Sequence, residues 1–171
     1  MNSKQLKIGT LFLASALASI AASAHADPIQ INTGGLICHQ ANPGQANDFD
    51  YNPNAIVNTN NASRQITCPI PYASSSLPSP ATIFVDGHND PNAVTSCTVT
   101  VFDNHSQPLM SNTFSESAPA APPGDPDGRG WHHEVDLLEF TPSDYISMTC
   151  TIPGNRAASI RGVTARTLAI P

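Results

Sequence analysis

Val94-Thr95-Ser96-Cys97-Thr98-Val99-Thr100-Val101-Phe102-Asp103 decides the fold class of this chain. Cys97, Val99 and Val101 alternate with Thr98, Thr100 and Phe102, and a period of two divides an extended strand into an apolar and a polar face. The same rhythm returns in Tyr145-Ile146-Ser147-Met148-Thr149-Cys150-Thr151-Ile152, with Ile146, Met148, Cys150 and Ile152 on one face and Ser147, Thr149 and Thr151 on the other. Working outward, short runs rich in Val, Ile, Thr and Phe predict further strands at Ala81–Asp86, Ala55–Thr59, Arg64–Pro69, Trp131–Leu138 and Ala158–Leu168.

About eight strands and no long helix predict an all-β domain. A sheet must bury its apolar face against another layer, so the expectation is an antiparallel β-sandwich of jelly-roll or Ig-like type. Thr141-Pro142-Ser143-Asp144 carries the one helical signal, and the Tyr145 strand follows at once, so it amounts to a single turn. Tyr72–Pro80 and Ser115–Gly130 read as long loops, because their prolines remove ladder donors.

The amino terminus reads as an export signal. Lys4 and Lys7 precede the apolar run Ile8–Ile20, and Ala24-His25-Ala26 supplies a cleavage pattern, so residues 1–26 are expected to leave and the mature domain to span 27–171. Ala22-Ser23-Ala24 is the competing cut. The apolar run is about thirteen residues, short of the roughly 20 that cross a bilayer. Gly35-Leu36-Ile37 before Cys38 lacks the small residues of a lipidated cysteine. A secreted or periplasmic location is expected.

Both lysines fall within the signal, which leaves five arginines against thirteen carboxylates and a formal charge of −8. That field repels phosphate backbones and argues against a nucleic-acid partner. A mature chain without lysine also lacks Schiff-base and Ser-Lys chemistry.

Cys38, Cys68, Cys97 and Cys150 all lie beyond the signal, where an oxidising compartment favours two disulfides over a metal site. Four cysteines leave three pairings open. Cys97 and Cys150 each sit on the apolar phase of a clear strand, which favours a cross-sheet or cross-strand bridge between them and leaves Cys38 to Cys68.

Cys38, Phe49-Asp50-Tyr51, Ile56-Val57-Asn58-Thr59, Thr67-Cys68-Pro69-Ile70-Pro71, Ile83-Phe84-Val85-Asp86, Ser96-Cys97-Thr98-Val99 and Tyr145 to Cys150 follow one another in order. This series resembles a large group of small secreted bacterial proteins with a four-cysteine β-sandwich pattern. The resemblance implies a fold and a compartment and supplies no catalytic residue.

Several polar clusters carry candidate chemistry. Counting Asp125 as position one of a calcium loop puts Asp127 at three, Gly130 at six and Asp136 at twelve, but Arg129 at five sets a cation where an oxygen belongs. A proline-glycine loop with solvated charges accounts for the same residues. On the Trp131 strand, His132, Glu134 and Asp136 share one face and could hold a transition metal, or simply be wet. Trp131 is either a sugar-stacking platform or a core anchor. Asp86-Gly87-His88-Asn89-Asp90-Pro91-Asn92 groups carboxylates about His88, and its Asp-Gly and Asp-Pro steps read as turns. No Gly-x-Ser-x-Gly nucleophile context is present.

The expectation is therefore an exported, non-enzymatic binding or surface-assembly module that uses no cofactor. Its contact surface would be the Asp125–His133 loop, with Trp131, His132, Glu134 and Asp136 as ligand residues and a glycan or a protein as partner. Two alternatives stay open. One is a carbohydrate-active or metal-dependent hydrolase working through His132, Glu134 or Asp136. The other is a pilin-like subunit using strand complementation, with Asp27–Thr33 as donor strand.

Overall fold

The computed structural model describes residues 29–34, 37–71, 79–119, 129–141 and 143–167. The export segment, most of the Tyr72–Pro80 loop and residues 120–128 lie outside them. Eleven strands are described: β1 (Ile29–Gly34), β2 (His39–Gln40), β3 (Phe49–Asn52), β4 (Ala55–Asn58), β5 (Arg64–Ile70) and β6 (Ser79–Asn89), then β7 (Val94–Phe102), β8 (Pro108–Ser117), β9 (Gly130–Phe140), β10 (Tyr145–Ile152) and β11 (Ala158–Thr167). They form two antiparallel sheets, as the alternation predicts. One runs β3-β4-β11-β6-β9 with β1 also on β11, and the other runs β2-β5-β10-β7-β8.

The apolar phases of both sheets meet in a single core. Val99, Met148, Cys150, Ile66 and Cys68 come from the five-stranded sheet, and Ile56, Ile83, Val85, Ile160 and Val163 from the six-stranded one; all are fully buried. Side contacts close the sandwich at both margins. At one, the Tyr51 hydroxyl of β3 donates to Gln40 Oε1 of β2 at 2.8 Å. At the other, Phe114 of β8 meets Trp131 edge-on at 6.5 Å and stacks on His133 at 3.9 Å. His133 Nδ1 also pairs with Glu116 Oε1 at 2.5 Å.

Both disulfides join neighbouring strands of the five-stranded sheet. Cys97 stands directly opposite Cys150 in the β7–β10 ladder. Cys38 enters β2 one residue before His39, which pairs with Thr67, and so faces Cys68. The Cα atoms are 4.0 Å apart in each bridge, so the staples are cross-strand and do not tie one sheet to the other.

Several elements differ from expectation. β8 carries Ser111, Thr113 and Ser115 in an exposed phase and only Phe114 buried, too weak an alternation to stand out in sequence. β1 overlaps the stretch weighed as a donor strand and pairs with β11 of its own chain, Ile29 opposite Thr167 through Gly34 opposite Gly162. β4 uses the same side of β11 one step earlier, at Ser159 and Ile160. A 3-10 segment at Pro43–Asp48, capped by Asn42 Oδ1 accepting from Gly44 N at 3.0 Å, was not anticipated. The single turn expected before β10 agrees with Asp144 N donating to Thr141 O at 3.0 Å.

Candidate functional site

β9 confirms its predicted phase: Trp131, Val135 and Leu137 are buried, while His132, Glu134 and Asp136 are exposed. The indole therefore lies in the core, only 7% exposed, and is no surface platform. It lies over Gly87, its register partner on β6, where an added Cβ would fall 2.1 Å from Trp131 Cζ2. Asp86-Gly87 is accordingly mid-strand and not a turn. The glycine is there because the indole occupies the space of a side chain. The turn comes at Asp90–Ala93, with Ala93 N donating to Asp90 O at 3.0 Å and Asn92 at φ 68°.

On the outer face of the six-stranded sheet, register brings together residues distant in sequence. Asp86 is opposite His132, Phe84 opposite Glu134 and Thr82 opposite Asp136. His132 Nδ1 lies 2.7 Å from Asp86 Oδ1, and its Nε2 lies 3.5 Å from Glu134 Oε1. The Asp86 hydrogen bond raises the imidazole pKa above the ordinary 6.5 against the opposing effect of desolvation, and Glu134 adds a smaller push upward. Phe84 stacks on the ring at 5.5 Å, a placement that suits a cationic imidazolium. Thr82 Oγ1 donates to Asp136 Oδ1 at 2.9 Å.

These contacts bear on the metal readings. With both ring nitrogens turned to carboxylates, His132 serves as a proton holder between two acids. Among the described residues no three His, Cys, Asp or Glu side chains converge on a metal-sized site. Asp125 and Asp127 lie outside the described residues. Gly130 to Asp136 is extended strand, about 20 Å long, so positions six to twelve of the counted calcium loop do not curl around an ion. Arg129 instead pairs with Asp90 at 3.4 Å.

A groove that sequence reasoning missed opens at the corner where β2, β5 and β10 meet the Pro43–Asp48 segment. Its volume is about 420 Å³, and Ala41, Asn42, Gln45, Ser63, Arg64, Gln65 and Thr151 line it. Amides and hydroxyls supply most of the lining. The one cation is already engaged, since Arg64 Nε donates to Asp48 Oδ2 at 2.6 Å. That bond, together with a second from Asn60 Nδ2 at 2.9 Å, holds the Asp48 carboxyl below its usual range. Gln65 Nε2 reaches Thr151 Oγ1 at 3.5 Å across the floor. Nothing in the spacing of Asn42, Gln45 and Gln65 along the sequence signals that they meet.

The groove opens onto the outer face of the five-stranded sheet. Hydroxyl residues stand there in ranks set by register. Ser111, Thr100 and Ser147 form one; Thr113, Thr98, Thr149 and Thr67 the next; Ser115, Ser96 and Thr151 the third, which ends at Gln65. Thr98–Thr113 at 2.9 Å, Thr100–Ser111 at 3.0 Å and Ser115–Ser96 at 3.1 Å bond across β7 and β8. At the far end Phe102 and Tyr145 stack at 5.0 Å, the tyrosine 41% exposed.

No protein-family model matches the sequence, and no curated protein matches it. Solved structures resemble it in fold. The mosquito-larvicidal Cry4Aa toxin from Bacillus thuringiensis aligns with TM-score 0.51 and 9% identity, over 82% of this chain and 24% of the toxin. A family 35 carbohydrate binding module from Clostridium thermocellum aligns with TM-score 0.44 and 10% identity, over 82% of this chain and 98% of that one. The C-terminal CBM6 of LamC from Zobellia galactanivorans gives 0.45 and 10%, over 80% and 98%. The class established by the sheets is an antiparallel, disulfide-stapled β-sandwich.

Proposed function

We propose that this chain is an exported, non-enzymatic binding module for a neutral, polyhydroxylated ligand of saccharide type. The observation that carries the reading is the groove beside Pro43–Asp48, whose Asn42, Gln45, Ser63, Gln65 and Thr151 present donors and acceptors without free charge. Ligand sites pair a concave surface with a few placed polar groups. Arg64 is neutralised by Asp48, so an anion finds no unpaired cation there. The groove, and not the Asp125–His133 loop, is the leading contact surface.

The amino-terminal signal pattern and the two disulfides support export. His132 Nδ1 contacts Asp86 at 2.7 Å and its Nε2 lies 3.5 Å from Glu134, with all three side chains about half exposed on the sheet face, so the non-enzymatic reading rests on the groove and not on this histidine. Screening the exported protein on an array of neutral and charged glycans tests the reading. Retention of neutral saccharides is expected, weakened about tenfold by Gln45→Ala or Gln65→Ala if these amides are central contacts. An array that retains only charged glycans, or none, overturns it.

A further inference from the structure

We propose that the outer face of the five-stranded sheet is an extended docking surface for an uncharged polysaccharide chain, which enters the groove at one corner and lies across the hydroxyl ranks. The inference rests on the saccharide reading of the groove and names the size and charge class of its ligand.

Charge comes first. The chain carries thirteen acidic residues, yet the outward positions of β5, β7, β8 and β10 hold no carboxylate, guanidinium or imidazole, and the edge strand β2 adds only His39, opposite Thr67. Those positions are filled mainly by serines, threonines and Gln65, with Pro69, Phe102, Leu109 and Tyr145 toward one end and Val94 at the other. A face without carboxylate or guanidinium leaves a polycation nothing to pair with and a polyanion only the edge imidazole of His39, while its hydroxyls match a ligand that is itself all hydroxyl.

Geometry follows from register. Strands are spaced about 4.8 Å apart, so a chain lying across them meets a hydroxyl at every step. The third rank ends on Thr151 and Gln65, which also line the groove, so groove and face are one continuous surface. Phe102 and Tyr145 add a stacked aromatic pair at the opposite end of the strands. Interfaces with proteins draw their energy from Trp, Tyr and Arg and are depleted in Ser and Thr hot spots. The composition of this face therefore favours a glycan chain over a protein.

Affinity electrophoresis of the exported protein in gels containing β-glucan, galactan or mannan, with alginate as the charged control, tests the inference. Titration with the matching trisaccharides measures the groove alone. Tyr145→Ala and Thr98→Lys are the face variants, Thr98→Val is a milder one, Gln45→Ala is the groove variant, and near-UV circular dichroism checks that each folds. The face variants are expected to weaken polymer retention by about tenfold while trisaccharide affinity stays within about twofold. Gln45→Ala should weaken both. If polymer retention ignores all three face variants while Gln45→Ala abolishes it, this inference fails and the groove reading stands. If the face variants matter and Gln45→Ala does not, the groove reading fails and the face stands. Retention of alginate alone, or of no polymer, overturns both.

Discussion

Gly87→Ala is the substitution whose outcome turns most sharply on the arrangement described here. Gly87 has no left-handed φ, so alanine suits its backbone, and relief of unfolded-state entropy alone would stabilise the fold by about 0.4–1 kcal/mol. The indole forbids it. The new methyl would stand 2.1 Å from Trp131 Cζ2, 2.4 Å from Cε2 and 2.7 Å from Cη2, far inside contact distance. Trp131 is held on its other side by Phe114, so it cannot swing aside freely. Overpacking of this kind costs about 1–3 kcal/mol.

Trp131→Ala alone should cost about 3–5 kcal/mol by opening a cavity in the core. In that background the clash is gone, and Gly87→Ala should become neutral to stabilising. The two substitutions should therefore couple by about 1–4 kcal/mol, with the cost of Gly87→Ala removed or reversed. Urea unfolding of the four proteins, with matched slopes, measures the cycle. A Gly87→Ala effect that is the same in both backgrounds would falsify the packing argument. Saccharide binding should survive Trp131→Ala wherever the variant is folded, because the indole touches no surface described for ligand.

Replacing Cys97 and Cys150 together with alanine should cost about 4 kcal/mol, since their bridge closes a separation of 53 residues; chemical denaturation with and without reductant checks it, and an unchanged midpoint would refute the role of the staple. Asn58, fully buried, donates from Nδ2 to Ala62 O and Ile152 O at 2.9 Å each and accepts from Asn60 N at 3.0 Å. Asn58→Ala should cost about 2–4 kcal/mol by stranding those backbone groups, and a loss below 1 kcal/mol by thermal or urea unfolding would contradict this. His132 should titrate above 6.5 by NMR, and Asp86→Asn should lower its midpoint. Because the folded pKa is raised, the His132–Asp86 pair stabilises fully below about pH 6.5 and its contribution fades as pH rises through the folded value. With the pair half exposed, the effect is about 0.5 kcal/mol after solvent screening. An identical His132 midpoint in Asp86→Asn would overturn the assignment.

Strands whose inner positions are mostly apolar are legible. Val94–Phe102 and Tyr145–Ile152 carried both the sandwich and the cysteine phase, and the pairing of Cys97 with Cys150 followed from that phase. β8 was not legible, because an edge strand facing solvent on most of its surface has little apolar rhythm to show. Asp86-Gly87 misled for a different reason. Local turn chemistry and a close approach by a distant side chain both select glycine, and only the position of Trp131 tells them apart.

Binding surfaces were harder to read than the core for a general physical reason. A core residue announces itself by its own transfer free energy, so one strand at a time suffices. Thr98, Thr113 and Thr149 are unremarked alone; their meaning comes from standing in one row across β8, β7 and β10, and that row exists only after register is set. Register in turn follows from burying the opposite face, since a slip by one residue would turn Val99 and Met148 to solvent and the threonines inward. The hydroxyl face is thus ordered by the core beneath it. Substitutions that preserve the inner phase should leave the ranks in place, which is why the outer face can be altered residue by residue to test what it holds.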